Sequence, residues 1–285
     1  MNPNSNKIRF VLFILVSLLC HFAWAQEEVI IPTTVQKGFA DLNGISAKLF
    51  LTEGAEGVKK PMVILLHGCG GAYQKNGLLS ERMLEYTKLM NENGWNALVL
   101  DSFKSRHVRQ ICTEKYSNRT VTQGMRVQDV LDTMIFLSAQ NYVDVDRIAL
   151  IGWSNGASTV LAATNLNNSV IQSFNIKPKV AAIFYPGCNT DRKKGYSPSA
   201  PLLLQIGAVD DWTPPLPCRL MVQEASEPKP KMIEYENSYH GFDSLQTVKI
   251  RTDVPRGLVH YGGNPSANLE SKKHLIAFFQ SHLQP

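Results

Sequence analysis

Residues 147–164 read RIALIGWSNGASTVLAAT and contain the strongest structural signal in the chain. Segment 147–151 is continuously apolar after its arginine, which predicts a buried strand. A G-x-S-x-G pattern follows at 152–156, and the small and aliphatic residues after it predict the start of a helix. A strand, a glycine-flanked serine and a helix in this order predict a sharp turn that presents the hydroxyl of Ser154 above the end of a sheet.

On both sides of this turn, short apolar strands alternate with segments of helical periodicity. The predicted strands cover residues 45–51, 61–66, 97–100, 147–151, 180–185, 201–206 and 231–235. The predicted helices cover residues 78–93, 122–139, 217–225 and 269–283, together with one that begins at 157. Such alternation is typical of an α/β protein whose central, mostly parallel sheet is covered by helices on both faces. The chain length and the 44% hydrophobic content favour a single domain over residues 26–285.

The first 25 residues have the three-part pattern of a secretory signal peptide. Lys7 and Arg9 form a basic start, residues 10–19 are apolar, and Ala-Trp-Ala at 23–25 is a small-x-small cleavage site. An uncleaved membrane anchor is the alternative, but it needs about 20 apolar residues. We therefore expect cleavage before Gln26 and an exported protein, periplasmic or extracellular, without a stable membrane anchor.

Charge and cysteine content narrow the classes of ligand. Removal of the signal peptide lowers the formal net charge from +5 to +3, and so mild a charge does not indicate nucleic-acid binding.

An even number of cysteines in an oxidising compartment favours disulfides, and the lack of C-x-x-C spacing disfavours a zinc site. We expect no metal or cofactor. The four cysteines that remain are Cys69, Cys112, Cys188 and Cys218.

A serine hydroxyl becomes an effective nucleophile only when a nearby base removes its proton. Of the seven histidines, His240 has the fitting position, because it follows the predicted strand 231–235 in the segment SYHGF. A carboxylate between the serine and the histidine in chain order would orient the imidazole, and Asp210 and Asp211 both follow the strand 201–206. From the residues alone, either aspartate can fill that role.

Two backbone N–H groups are candidates for an oxyanion hole, the pair of donors that stabilises a developing alkoxide. One belongs to Asn155, directly after the serine. The other is expected in the glycine-rich loop HGCGG at 67–71, from Cys69. Glycine-rich loops also bind phosphates, but this one lacks the Lys-Ser/Thr pair of a P-loop.

Five short segments together resemble the dienelactone hydrolase family of α/β-hydrolases. They are LLHGCGG at 65–71, LDSF at 100–103, GWSNG at 152–156, GAVDDWTP at 207–214 and YHGF at 239–242. The resemblance extends from about residue 61 to the C-terminal helix and implies the α/β-hydrolase fold. The family pattern places the catalytic aspartate first in the Asp-Asp pair, which favours Asp210. The namesake enzymes of the family have a cysteine as nucleophile where this chain has Ser154, so the resemblance favours a general esterase over a lactone hydrolase.

The resemblance also implies a disulfide pairing. In the implied fold, the strands that end at residues 66 and 100 are neighbours, and so are those that end at 185 and 206. Because a disulfide needs Cα atoms within about 7 Å, we expect Cys69–Cys112 and Cys188–Cys218. The alternative is that Cys69 remains a buried free thiol.

These features predict a serine hydrolase that cleaves an ester or related acyl bond of a small-molecule substrate through an acyl-Ser154 intermediate. Two other functions stay open: a peptidase of the same fold, and a non-catalytic binding protein on the hydrolase scaffold. The peptidases generally carry an additional gating domain, and a binding protein is expected to have lost the serine, the histidine or the aspartate of the catalytic set. Five aromatic residues near the expected strand ends are candidates for the lining of an acyl pocket or for core packing: Tyr73, Phe103, Trp153, Tyr185 and Trp212.

Overall fold

The computed structural model describes residues 26–34, 42–54 and 57–284, so the expected signal peptide lies outside the described residues. The strands in the described part are β1 (Gln26–Ile31), β2 (Ile45–Phe50), β3 (Lys60–Leu66), β4 (Asn96–Asp101), β5 (Val143–Trp153), β6 (Val180–Phe184), β7 (Leu202–Gly207), β8 (Lys231–Tyr235), β9 (Lys249–Val254) and β10 (Gly257–Tyr261). The helices are α1 (Glu81–Glu92), α2 (Gln123–Ser138), α3 (Asn155–Thr164), α4 (Ser169–Ser173), α5 (Asn189–Lys194), α6 (Leu216–Glu224) and α7 (Pro265–Leu283).

Eight of these strands form one sheet in the order β1-β2-β4-β3-β5-β6-β7-β8. Strand β2 is antiparallel to both β1 and β4, and every other neighbouring pair is parallel. All residues of β4, β6 and β7 are buried, as expected for central strands covered on both faces. The predicted α/β-hydrolase fold with a mostly parallel central sheet is therefore confirmed.

The long helices begin where side chains cap them. Ser80, Thr122 and Asn264 each accept a hydrogen bond from the backbone N–H three residues later, at the starts of α1, α2 and α7. Helices α2 and α3 pack against each other and against β5, whereas α1 packs on β3 and β4 and α7 on β6 and β7. The sheet is thus fixed by helices around its centre, and the C-terminal ends of β5, β7 and β8 meet at one edge.

Several elements differ from the sequence-based expectation. Strand β5 begins at Val143, four residues before the predicted start, because Val143 pairs with Lys60 of β3 ahead of an irregularity that precedes the pair of Ile148 with Met62. Helix α7 begins at Pro265, since Asn264 caps it one turn before the first apolar residue of the predicted helix. Strand β1 and the antiparallel β9–β10 hairpin were not expected. Most of the residues of β1 and β9 are exposed, so their sequences lack the apolar run that marks a buried strand.

Candidate active site

The serine lies in a strained turn between β5 and α3. Ser154 has φ +52° and ψ −114°, a conformation that L residues rarely adopt. A Cβ at Gly152 would lie 2.5 Å from the carbonyl oxygen of Gly156, and one at Gly156 would lie 2.1 Å from that of Leu66. Both glycines are therefore required by close backbone contacts, and the turn that they permit presents the serine hydroxyl at the edge of the sheet.

The serine, a histidine and one aspartate form a continuous chain of hydrogen bonds, which we call the relay. His240 Nε2 lies 2.9 Å from Ser154 Oγ, and His240 Nδ1 lies 2.9 Å from Asp210 Oδ2. The other carboxylate oxygen of Asp210 accepts hydrogen bonds from the backbone N–H groups of Trp212 and Thr213 at 2.9 and 2.8 Å. Asp210 and His240 are buried and Ser154 is partly exposed, so the structure brings the three residues together with the nucleophile open to a ligand.

The loops that carry the acid and the base are held together by a glycine. A Cβ at Gly207, at the end of β7, would lie 2.1 Å from the carbonyl oxygen of Ser238. Only glycine therefore lets the loop after β7 approach the loop after β8 closely enough for Asp210 to reach His240. The hydroxyl of Thr213 lies 3.0 Å from Asp210 Oδ2 and 3.1 Å from His240 Nδ1, beside the hydrogen bond between them.

Asp211 points to a different histidine. Its carboxylate accepts a hydrogen bond from the backbone N–H of His260 at 2.9 Å and lies 2.6 Å from His260 Nδ1. Burial alone would raise the pKa of Asp211, but the hydrogen bonds from His260 outweigh it and lower that pKa. Because His260 lies on β10, its hydrogen bonds to Asp211 join the β9–β10 hairpin to the loop that carries Asp210.

The two expected oxyanion donors lie next to the serine. Asn155 is the first residue of α3, so its N–H has no acceptor within the helix. The loop that carries Cys69 contacts the turn, because a Cβ at Gly68 would lie 3.5 Å from Ser154 Cβ. Both residues line the same cavity as the serine hydroxyl. Their role as oxyanion donors stays a prediction.

The four cysteines form two disulfides. Cys69 is bonded to Cys112 with Cα atoms 4.9 Å apart, and Cys188 is bonded to Cys218 with Cα atoms 5.0 Å apart. These are the two pairs that the family resemblance implies. The first bridge ties the loop after β3 to the long segment between β4 and α2, and the backbone N–H of Ile111 reinforces it by donating to the Cys69 carbonyl at 2.9 Å.

Two cavities open at the serine. The first has a volume of about 500 Å³ and extends towards α5 and the segment before α2. The second, of about 670 Å³, extends towards α1 and the segment after His240. Ser154, Trp212 and the Cys69–Cys112 bridge line both cavities, so the serine stands where they meet. A substrate bound across the serine therefore has space on both sides of its reacting carbonyl.

The β9–β10 hairpin forms part of the wall of both cavities. Arg256 lines the first cavity, whereas Arg251 and Tyr261 line the second. The Arg251 guanidinium lies 5.3 Å from the ring centroid of Trp212, and the Trp212 ring lies 4.7 Å from the ring of His240. The hairpin thus contacts the base through Trp212.

Three of the five aromatic candidates line the second cavity, namely Trp153, Tyr185 and Trp212. The other two have different places. Phe103 is buried in a small apolar cluster with Cys69 and Cys112, and Tyr73 is half-buried beside Lys104.

A buried carboxylate that the sequence analysis missed lies beneath the relay. Asp243 Oδ1 accepts hydrogen bonds from the hydroxyl of Tyr185 at 2.7 Å and from Arg82 Nη2 at 3.1 Å. Asp243 Oδ2 accepts from Tyr86 at 3.0 Å, Trp153 Nε1 at 2.9 Å and Arg82 Nε at 3.2 Å. Burial alone would raise the pKa of Asp243, but the Arg82 charge and the hydroxyl donors outweigh it and hold that pKa below its ordinary value. Asp243 follows His240 by three residues, and this proximity was the only sequence signal for it.

Within residues 26–34, 42–54 and 57–284, no cluster of three or more His, Cys, Asp or Glu side chains is arranged to hold a metal ion. In the same ranges, no helix has the length and apolar character needed to cross a membrane.

Solved structures of several hydrolases have the same fold. A promiscuous phosphotriesterase of dienelactone hydrolase type from metagenomic libraries matches with a TM-score of 0.65 at 16% identity, over 91% of this chain and 99% of its own. Esterase 2 of the planctomycete Thermogutta terrifontis, with butyrate bound, matches with a TM-score of 0.63 at 12% identity, over 91% of this chain and 95% of its own. A puromycin-hydrolysing peptidase from Mycobacterium tuberculosis matches with a TM-score of 0.60 at 15% identity, over 91% of this chain but 39% of its own.

Sequence comparison identifies the family. Among curated proteins, no sequence matches this chain significantly. The model of the dienelactone hydrolase family matches residues 45–283, which include every strand from β2 onward and both loops of the relay. The chain therefore belongs to the dienelactone hydrolase family, and it is a serine hydrolase.

Proposed function

We propose that the protein hydrolyses esters of small carboxylic acids through an acyl-Ser154 intermediate. The observation that carries this proposal is the relay, in which Ser154 Oγ, the imidazole of His240 and the carboxylate of Asp210 are joined by two hydrogen bonds of 2.9 Å. Nucleophile, base and orienting acid are thus already at reaction distance from one another, at the junction of two cavities.

In the first step, Ser154 Oγ attacks the acyl carbon while His240 Nε2 takes the hydroxyl proton. Asp210 holds the imidazole in the required tautomer and stabilises the imidazolium without taking the proton itself. The negative charge that develops on the carbonyl oxygen is stabilised by the N–H groups of Asn155 and Cys69. The imidazolium then protonates the leaving alkoxide, the carbon–oxygen bond breaks and the alcohol departs.

In the second step, a water molecule attacks the acyl-serine and His240 takes a proton from that water. Collapse of the second tetrahedral intermediate breaks the bond to Ser154 Oγ, which regains a proton from the imidazolium. The carboxylic acid is released and the enzyme returns to its starting state. The positive φ of Ser154 keeps its Oγ beside the base in both steps, because the contacts of Gly152 and Gly156 hold the turn.

Small esters are favoured by the shape of the site. The two cavities, of about 500 and 670 Å³, have the size of sites for drug-sized molecules. The binding of butyrate by the Thermogutta esterase supports a short acyl group. A peptidase is the second candidate, because a puromycin-hydrolysing peptidase has the same fold over 39% of its own chain.

Covalent labelling tests the proposal directly. The mature protein should react with a fluorophosphonate probe at Ser154, hydrolyse p-nitrophenyl butyrate and leave the matching p-nitroanilide almost unchanged. Ser154→Ala should be neither labelled nor active, while Ser138→Ala, which removes an exposed serine at the end of α2, should behave as the wild type. Faster cleavage of the anilide would favour the peptidase, and a folded protein that is neither labelled nor active would favour the binding protein.

We also propose that the protein acts outside the cytoplasm, as one domain over residues 26–285 after cleavage of a signal peptide. Two disulfides support this location, because they persist in oxidising compartments.

A further inference from the structure

Arg126 joins the two segments that carry the expected oxyanion donors. This residue of α2 is buried, with 1% of its surface exposed. Its Nη1 donates to Oδ1 of Asn155 at 2.5 Å, and its Nη2 donates to the carbonyl oxygen of His67 at 2.8 Å. Asn155 begins α3, and His67 lies two residues before Cys69 in the loop after β3. A single guanidinium thus links the helix start to the glycine-rich loop.

In the described part of the chain, no carboxylate is hydrogen-bonded to Arg126; Asp129 and Asp101 attract its charge only through space, and its guanidinium lies 5.3 Å from the ring centroid of Phe103. Both acceptors are uncharged groups, and among the ion pairs of the described residues none includes Arg126. Asp129, three residues later on α2, is instead paired with Arg106 at 2.7 Å. Burial lowers the pKa of Arg126 to about 10, so the group remains a cation at neutral pH.

A buried cation without a bonded carboxylate is costly for folding. An apolar side chain of similar length would fill the same space without that cost, so packing alone does not account for an arginine here. The position of the charge does account for it. The guanidinium is hydrogen-bonded to the two segments whose N–H groups face the negative charge that develops when a serine attacks an acyl group, and a positive charge so near favours that transition state.

We propose that Arg126 is a positioning residue of the oxyanion hole: it holds the N–H donors of Asn155 and Cys69 at a fixed separation and supplies a positive potential close to them. This inference rests on the proposed acyl-Ser154 chemistry. It assigns a role to a residue that does not touch the substrate, and it predicts that loss of Arg126 weakens binding of the transition state more than binding of the substrate.

Three variants separate the parts of this role. Arg126→Met removes both the bridge and the charge. Arg126→Lys keeps the charge, but the compact ammonium group lacks the planar guanidinium geometry that lets arginine donate to both acceptors at once. Asn155→Ala keeps its own backbone N–H and the Arg126 charge, and removes one half of the bridge. As a control, Arg147→Met applies the same substitution in the first half of β5, where the guanidinium contacts Asp144 and the Leu283 carbonyl.

The readouts are kcat and KM for p-nitrophenyl butyrate, the inhibition constant of an alkylboronic acid and the unfolding temperature. The boronic acid forms an anionic tetrahedral adduct with an active-site serine, so it probes the oxyanion hole. We expect Arg126→Met to lower kcat by about 10²-fold, as for loss of one oxyanion donor, with KM changed less than about threefold. Boronate affinity should fall by the same factor as kcat/KM. Arg126→Lys and Asn155→Ala should show smaller losses of both quantities, and Arg147→Met should keep the wild-type kcat.

A folded Arg126→Met variant with wild-type kcat and boronate affinity would overturn the inference. So would a loss confined to KM or to the unfolding temperature. If Arg126→Met does not fold, the other two variants decide: parallel losses of kcat and boronate affinity support the role, and wild-type values in both variants refute it. If the wild-type protein neither turns over the ester nor binds the boronate, the proposed function itself fails, which is a distinguishable result.

Discussion

Replacement of the buried Asp243 by asparagine should destabilise the protein by about 3–4.5 kcal/mol. The substitution preserves the shape of the side chain, so no cavity forms and the change is one of charge and hydrogen bonding. The carboxylate accepts five hydrogen bonds from four side chains, and its own side chain is fully buried. An amide can accept at only one of the two oxygen positions.

The size of this loss depends on which of the two carboxylate oxygens is replaced by the amide nitrogen of asparagine. At the Oδ2 position it would face the indole N–H of Trp153, which can only donate, so the Oδ1 position is preferred. There the hydroxyl of Tyr185 can rotate to accept, but the Arg82 Nη2 loses its acceptor. The lost hydrogen bond costs about 1.5 kcal/mol, which is the lower end of the range for hydrogen bonds to charged groups, because the Arg82 side chain is 30% exposed and water can replace part of the contact. Loss of charge on the remaining oxygen weakens three more bonds by roughly 0.5–1 kcal/mol each.

The effect should depend on pH. Because the pKa of Asp243 is held below its ordinary value, the carboxylate stabilises the folded state fully above about pH 4, the region of an unfolded aspartate. That contribution is lost as the pH falls through the lower pKa of the folded state. The difference between wild type and Asp243→Asn should therefore be constant from about pH 5 to 8 and shrink below about pH 4.

Urea unfolding followed by tryptophan fluorescence measures this difference at each pH. Asp253→Asn is the matched control, because Asp253 also pairs with an arginine, Arg251, but at an exposed position on β9, and its loss should leave the unfolding free energy unchanged. A difference below about 1 kcal/mol for Asp243→Asn, or one that stays constant down to pH 2, would refute the reasoning.

In the relay, Ser154→Ala should lower kcat by up to about 10⁶-fold without loss of the fold, and near-normal turnover of p-nitrophenyl esters by a folded variant would contradict the assignment. Asp210→Asn should cost up to about 10⁴-fold in kcat, whereas Asp211→Asn, which loosens only the β9–β10 hairpin, should cost much less; the reverse order would show that the acid is misassigned. Reduction of the bridge to Cys69 should lower turnover and remove about 4 kcal/mol of stability, and free thiol at that position in non-reducing peptide mapping would contradict the bridge. N-terminal sequencing of exported protein should begin at Gln26, and material that retains the preceding segment would count against cleavage.

The parts of the site that sequence could predict are those that local sterics or chain order impose. Gly152 is required by a contact within the turn and Gly156 by the backbone of Leu66 at the end of β3, and both glycines stand beside Ser154 in the sequence, so the pattern around the serine is sufficient to recognise the turn. His240 follows from its place after a late strand. The choice of Asp210 over Asp211 needed the family pattern, because both aspartates follow the same strand.

The parts that sequence could not predict depend on side chains brought together from distant segments. Asp243 accepts from Tyr86, which precedes it by 157 residues, and nothing near either residue marks the contact. Arg126 lies on a helix whose apolar positions were evident, and an arginine there is indistinguishable in sequence from one that faces water. The β9–β10 hairpin is mostly exposed on β9, so it lacks the apolar pattern of a core strand.

The order of strands in the sheet has a consequence for how activity is gained during folding. Ser154 and His240 are separated by 86 residues, and strands β5 to β8, which bring them together, pair only in parallel. Each parallel pairing requires a crossover connection to close first, so this half of the sheet assembles through non-local contacts, which form slowly. During refolding, the circular dichroism of the helices should return before ester hydrolysis. Recovery of turnover therefore reports the last stage of assembly, and a nascent chain that ends before β8 has a complete nucleophile turn but no base to activate it.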